Sequence, residues 1–237
     1  MLERVCAFLF AALLFCAGGD ASAQRVHYLG VAASNEQNVF INEANGAASV
    51  LAQKYPLASS ATISNGFGVG ADLAGIRNAI FEAAGRMDRE RDILFLLVTS
   101  HGVKGRGVVL RGPGLLQVLT PGQLRSFLAE AGVKNRVVVI SACYSGQFIG
   151  PLSGPTSAVI TASDAAHPSF GCQNDRNYTW FGEALFSEAM PRARDLRSAF
   201  AIARQTVTAW ERRDGQIPSN PQMSMGGQAA RMLAAAR

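Results

Sequence analysis

Charge is scarce in this chain. Only 16% of its 237 residues are Asp, Glu, Lys or Arg, against 49% hydrophobic. That balance excludes a disordered or fibrous chain and suits one compact domain with a self-sufficient core. The 22 Lys and Arg outnumber the 17 Asp and Glu, for a net +5. They never gather, however. Arg212-Arg213 is the longest basic run and no aromatic-interleaved stripe appears, so the positive charge reads as solvated surface and not as a nucleic-acid site. Cysteine is scarce too. Cys6 and Cys16 fall in the opening segment, leaving Cys143 and Cys172, too few for a disulfide framework, although these two could pair with each other in an oxidising compartment. Histidine numbers 3, and no set of His, Cys and acidic residues has metal-ligand spacing. Neither metal nor cofactor is expected. Internal repeats and domain linkers are also lacking.

The opening segment "MLERVCAFLFAALLFCAGGDASAQ" has an apolar run from Val5 to Ala17, too short for a comfortable membrane span, then Ala21-Ser22-Ala23 ahead of Gln24. This pattern is that of a secretory signal peptide over residues 1–23, with a mature domain over 24–237 and no integral membrane segment after cleavage.

Along the rest of the chain apolar runs alternate with helical periodicity. "VHYLGVAA" (26–33), "ATIS" (61–64), "DILFLLVTS" (92–100), "RVVVISA" (136–142) and "SAVITAS" (157–163) read as strands, and the nearly continuous apolar runs among them suit strands covered on both faces. Leu73, Ile76, Ile80, Ala83 and Met87 repeat at helical spacing. Thr120-Pro121-Gly122-Gln123 is a capping box that starts a helix bearing Leu124, Phe127, Leu128 and Ala131 and stopping at Gly132. Further helices are expected over Tyr178 to Ala189 and Asp195 to Trp210. "DGQIPSNPQMSMGG" reads as loop. The alternation implies an α/β domain with a mostly parallel sheet and sites at the carboxyl ends of its strands.

Two strand ends carry chemistry under that rule. "VTSHGVKG" puts His101 just after one apolar strand, and "ISACYSG" puts Cys143 just after the next. If those strands are neighbours, imidazole and thiol emerge on one sheet edge, where the imidazole can take the thiol proton and expose a nucleophilic thiolate. Gly102 and Gly146 allow close backbone approach beside each residue, and the N–H groups of Gly102 and Cys143 could face a developing oxyanion. A lone Cys is more often a small buried hydrophobe and a lone His more often a hydrogen-bonded surface residue; their placement at consecutive strand exits favours function.

Other motifs fit less well. A tyrosine-phosphatase loop needs Arg where Ile149 stands. A nucleophile elbow around Ser141-x-Cys143-x-Ser145 would have only Asp164 and His167 as downstream partners, too near in sequence for a normal hydrolase order. "NGFGVG" (65–70) lacks the full dinucleotide fingerprint and reads as loop.

"SHG" and "SACYSG" together resemble the legumain-like cysteine peptidases of the caspase-like clan. The likeness extends to Ser34-Asn35 after the first strand, Thr161-Ala162 at the end of a later one, and Phe170-Gly171-Cys172 downstream, covering roughly residues 26–190. The resemblance implies a caspase-like three-layer αβα sandwich, with Cys143 as nucleophile, His101 as general acid/base and Gly102 as oxyanion donor. It also implies a substrate pocket at Ser141, Ile41, Glu183 and Ser169. Asparagine-specific members carry an acid where this chain has Ser141 and an Arg where it has Ile41, which points to a less charged pocket and away from asparagine. By the same resemblance Cys172 is a packed thiol near the pocket; a bridge to Cys143 is the other reading.

The expectation is an exported, periplasmic or extracellular, cysteine endopeptidase acting on peptide or protein substrates through a thioester, with transpeptidation as a variant of the same intermediate. A catalytically silent binding module on the same fold is the alternative, and an esterase dependent on His167 a more distant one. Oligomeric state is not legible.

Overall fold

The computed structural model describes residues 24–66 and 70–237; residues 1–23, which the sequence reading takes as a signal peptide, and residues 67–69 of the glycine-rich stretch lie outside it. Its centre is a six-stranded sheet in the order β2-β1-β3-β7-β8-β9, built from β1 (Val26–Ala32), β2 (Leu57–Ser64), β3 (Ile93–Thr99), β7 (Arg136–Ser141), β8 (Ser157–Thr161) and β9 (Gln222–Met225). All neighbours are parallel except β8 and β9.

The apolar runs become strands because both faces of the sheet are covered. Every residue of β3 is buried. With side chains alternating across a strand, Ile93, Phe95 and Leu97 enter one core beside Val137, Val139, Ala158 and Ile160. Leu94, Leu96 and Val98 enter the other beside Val138, Ile140 and Val159. Helices α1 (Val39–Lys54), α7 (Leu196–Arg213) and α8 (Gly227–Ala235) close the first core, through Ala47, Leu51, Phe200, Ala203, Val207 and Leu233. Helices α2 (Leu73–Gly85), α3 (Pro121–Glu130) and the short α4 (Ile149–Leu152) close the second, through Ile76, Ile80, Leu124, Leu128 and Leu152. The result is the three-layer αβα sandwich that the resemblance implies.

The helix starting at Thr120 forms with its capping box complete: Thr120 Oγ1 accepts from Gln123 N–H at 3.2 Å while Gln123 Oε1 accepts from Thr120 N–H at 3.0 Å. The segment expected over Tyr178 to Ala189 is less regular. A short α5 (Trp180–Gly182) widens into a π-helical stretch Glu183–Ala189 and returns to α-helix as α6 (Met190–Arg192). Met190 N–H reaches Leu185 O, one residue further back than in an α-helix. Pro191, which has no N–H and crowds the preceding turn, follows directly.

Two parts of the reading are corrected. "QMSM", read as loop, is β9, which pairs antiparallel with β8 over Ala158 to Thr161, and α8 follows it. A separate three-stranded antiparallel sheet, β4 (Gly102–Val103), β5 (Gly107–Gly112) and β6 (Leu115–Leu119), fills the connection after His101. It covers the second core with Val108, Leu110 and Leu119.

Candidate active site

β3 and β7 are adjacent and parallel, with Thr99 opposite Ser141 and Ser100 N–H donating to Ser141 O at 3.2 Å. His101 and Cys143 follow those two residues at equal distance along the chain, so the register delivers them to one edge of the sheet at one level. Beyond the strand ends the backbones remain in contact. A Cβ at Gly102 would collide with the Cys143 carbonyl oxygen and lie 3.1 Å from its nitrogen, so only glycine fits there.

His101 is held from three sides. Val109 N–H donates to its carbonyl at 2.8 Å, tying it to β5. The edge of the Phe40 ring packs against its imidazole, centroids 5.1 Å apart. Nε2 lies 2.7 Å from Gln37 Oε1. Because an amide oxygen only accepts, this bond puts the imidazole proton on Nε2 and leaves the lone pair on Nδ1. Partial burial lowers the imidazole pKa below its ordinary 6.5; Glu36, whose Oε2 is 3.7 Å from Nε2, opposes the shift, and Arg111 reinforces it. Arg111 Nε is 3.1 Å from Glu36 Oε1, so the guanidinium takes up part of the carboxylate's field at the imidazole.

Cys143 stands at the start of a sharp bend. Tyr144 adopts a left-handed conformation at φ 55°, unusual for a residue with a side chain, and its N–H donates to His167 O at 3.0 Å. The Cys143 thiol lies against the backbone of Ser169, whose N–H reaches Sγ at 3.3 Å and whose carbonyl oxygen is 3.4 Å away. His167 turns its Nδ1 to Asp164, 2.7 Å from Oδ2, and Asn220 Nδ2 donates to the same oxygen at 3.0 Å.

The expected pocket residues separate into two groups. Ser141 is buried, its hydroxyl 3.0 Å from that of Thr179. Ile41 and Cys172 both pack against the cluster of Ala32, Val39, Phe40 and Ala44. Cys143 and Cys172 are both free thiols, and burial pushes Cys172 up to about 12, with Cys143 and Glu43 adding to the rise. Glu183 is half-exposed and ion-paired with Arg176, which also donates from Nε to Tyr178 O at 3.1 Å. Asn42 Nδ2 donates to Arg176 O at 3.3 Å, bringing this pair beside α1. Arg176, the partner of Glu183, is a residue no motif marked. Gln37 and Glu36 were missed as well, although they directly follow the Ser34-Asn35 pair of the resemblance.

Among the described residues no group of three or more His, Cys, Asp or Glu is placed to hold a metal, and no helix is long and apolar enough to cross a membrane. No curated protein matches the chain. Among solved structures it is similar to caspase-1 from Spodoptera frugiperda, with a TM-score of 0.58 and 15% identity over 86% of each chain, which establishes the fold. The sequence profile of the Peptidase C13 family matches residues 69–229. A caspase-like sandwich with a histidine and a cysteine on adjacent strand exits, matched by that profile over most of its length, is a cysteine-peptidase scaffold, and the chain belongs to the Peptidase C13 family, the legumain family.

Proposed function

We propose that the protein is an exported cysteine endopeptidase that cleaves peptide bonds through Cys143 and His101. The observation that carries the reading is the β3–β7 register, which brings the two residues to one edge with Gly102 pressed against the Cys143 backbone. In the proposed reaction His101 Nδ1 takes the thiol proton as Sγ attacks the scissile carbonyl carbon. The carbonyl oxygen gains charge, and the N–H groups of Gly102 and Cys143 are the donors suited to receive it. The C–N bond then breaks, the proton passes from His101 to the departing amine, and a thioester remains on Cys143. Water, deprotonated by His101, hydrolyses that thioester; a peptide amine attacking instead would give transpeptidation.

A lowered imidazole pKa suits this role, since the neutral form accepts the first proton. For specificity, we propose that the Arg176–Glu183 pair, together with Ile41, Cys172 and Ser169, reads the residue before the cut. One charge of each sign makes this pocket more polar than the loss of a base at Ile41 alone suggests. The opening segment is proposed as the export signal; sequencing the amino terminus of secreted protein should begin at Gln24.

The test is a diverse peptide mixture incubated with the reduced mature chain, with new termini mapped against Cys143→Ala. Cuts that vanish in the variant support the reading and reveal the preferred residue. Folded protein that makes no Cys143-dependent cut would replace it with a binding module on the same scaffold.

A further inference from the structure

One buried acid has no part in that reaction. Glu43, on α1, is 0% exposed. Its Oε2 accepts the Thr179 backbone N–H at 2.8 Å and lies so close to Gly182 that a Cβ there would collide with it. Its Oε1 has no hydrogen-bond partner, and neither has the equally buried hydroxyl of Thr99. The hydroxyls of Ser141, Thr179 and Thr99 surround the carboxyl. Thr99 and Ser141 are the last residues of β3 and β7, directly before the segments that present His101 and Cys143. One carboxyl therefore sits where both catalytic strand exits meet α1 and the start of α5.

The titratable groups that face Glu43 are Tyr28 from β1, whose hydroxyl donates to Ala44 O at 2.6 Å, and Cys172 and Tyr178 from the segment before α5. Among the described residues no Lys, Arg or His pairs with it. An ionised carboxylate here would be a buried charge without a counter-ion, which proteins avoid by keeping the proton. A protonated carboxyl removes that uncompensated charge while Oε2 keeps the Thr179 N–H.

Resting on the peptidase reading above, we propose that Glu43 is a positioning residue for the Cys143–His101 pair: it is protonated on Oε1 when the site is assembled, and the strand exits loosen when it ionises. Burial supports this by driving the carboxyl's proton affinity upward against the downward pull of Ser141, Thr179 and Thr99. The sign follows. The folded protein holds the proton more tightly than the unfolded chain, so the associated stability is complete below the ordinary glutamate pKa of about 4.3 and declines as pH rises through the raised folded value.

The experiment compares wild type, Glu43→Gln, Glu43→Ala and Thr99→Val in three pH series: kcat/KM on a cleaved peptide, Cys143 alkylation by iodoacetamide, and thermal unfolding. Glutamine reproduces the neutral acid, accepting from the Thr179 N–H, but cannot ionise. It should keep wild-type activity on the acid side, shift the alkaline loss of activity to higher pH and flatten the decline of Tm with pH. Thr99→Val removes one of the hydroxyls that pull the carboxyl's proton affinity down and should shift the alkaline loss to higher pH. Glu43→Ala should lose activity throughout. Superimposable profiles for wild type and Glu43→Gln, or a folded Glu43→Gln inactive at every pH, would overturn the proposal. If wild type cleaves nothing, the peptidase reading fails separately. Alkylation and Tm need no turnover; if neither differs between wild type and Glu43→Gln, the role of Glu43 falls too.

Discussion

His101 and Cys143 were visible in the sequence because each ends an apolar run, and strand ends are where an α/β sheet places its chemistry. Their supporting residues were not. Gln37 reaches His101 across a separation of 64 residues, and Glu43 reaches Thr179 across 136. Neither carries a local pattern, because its meaning lies in which loop folds over it. Arg176 was hidden for the same reason, since its pairing with Glu183 depends on a bend that no periodicity announces. The environment of His101 gives a signed prediction. Its lowered pKa keeps the imidazole neutral into mild acid, so the acid limb of kcat/KM should lie below the ordinary value of about 6.5. Glu36 raises that pKa, so Glu36→Gln should move the acid limb further toward low pH. A pH profile of both proteins checks it, and a shift in the opposite direction would remove Glu36 from the account.

Elements were legible where a local signal and a tertiary role agreed. Helix α3 announces itself through Thr120-Pro121-Gly122-Gln123, and each expected bond of the box forms. Removing the cap with Thr120→Ala should cost about 1 kcal/mol in a urea titration and leave kcat unchanged, because α3 packs on the face away from Glu43 and α1. α1 went unread because Glu43 and Gly46 interrupt its apolar face, and both interruptions have tertiary causes: the buried carboxyl, and the Tyr178 ring that a Cβ at 46 would strike. β9 is short, at 4 residues, and lies among Pro, Ser, Asn and Gly; only the exposed edge of β8 makes it a strand. The π-helical turn also has no sequence period of its own. It becomes intelligible once Pro191 is seen beyond it.

The fold class followed from runs such as 93–99, because a strand apolar at every position needs cover on both faces and a sheet so covered is a sandwich. The far end of the sheet has its own anchor. Buried Asp92 accepts from Arg25 Nη2 at 2.8 Å, His27 Nε2 at 3.1 Å and Asp88 N–H at 2.9 Å. Asp92→Ala leaves His27 Nε2 and the Asp88 N–H without their acceptor, so it should destabilise by about 1–3 kcal/mol. Cys143 alkylation of the folded variant should keep its wild-type rate, because this anchor is at the opposite ends of the strands; a changed rate would reveal coupling along β3. The strand order β2-β1-β3-β7-β8-β9 has a consequence in time as well as in space. A chain emerging from the ribosome amino end first meets, for each new strand, a partner already made, so the sheet can grow outward without waiting for a distant segment. His101 and Cys143 can come together as soon as β7 docks on β3, before the segment carrying Ser169 and Thr179 has folded against them. On the proposed reading, the nucleophile exists before the walls that would decide what it cuts.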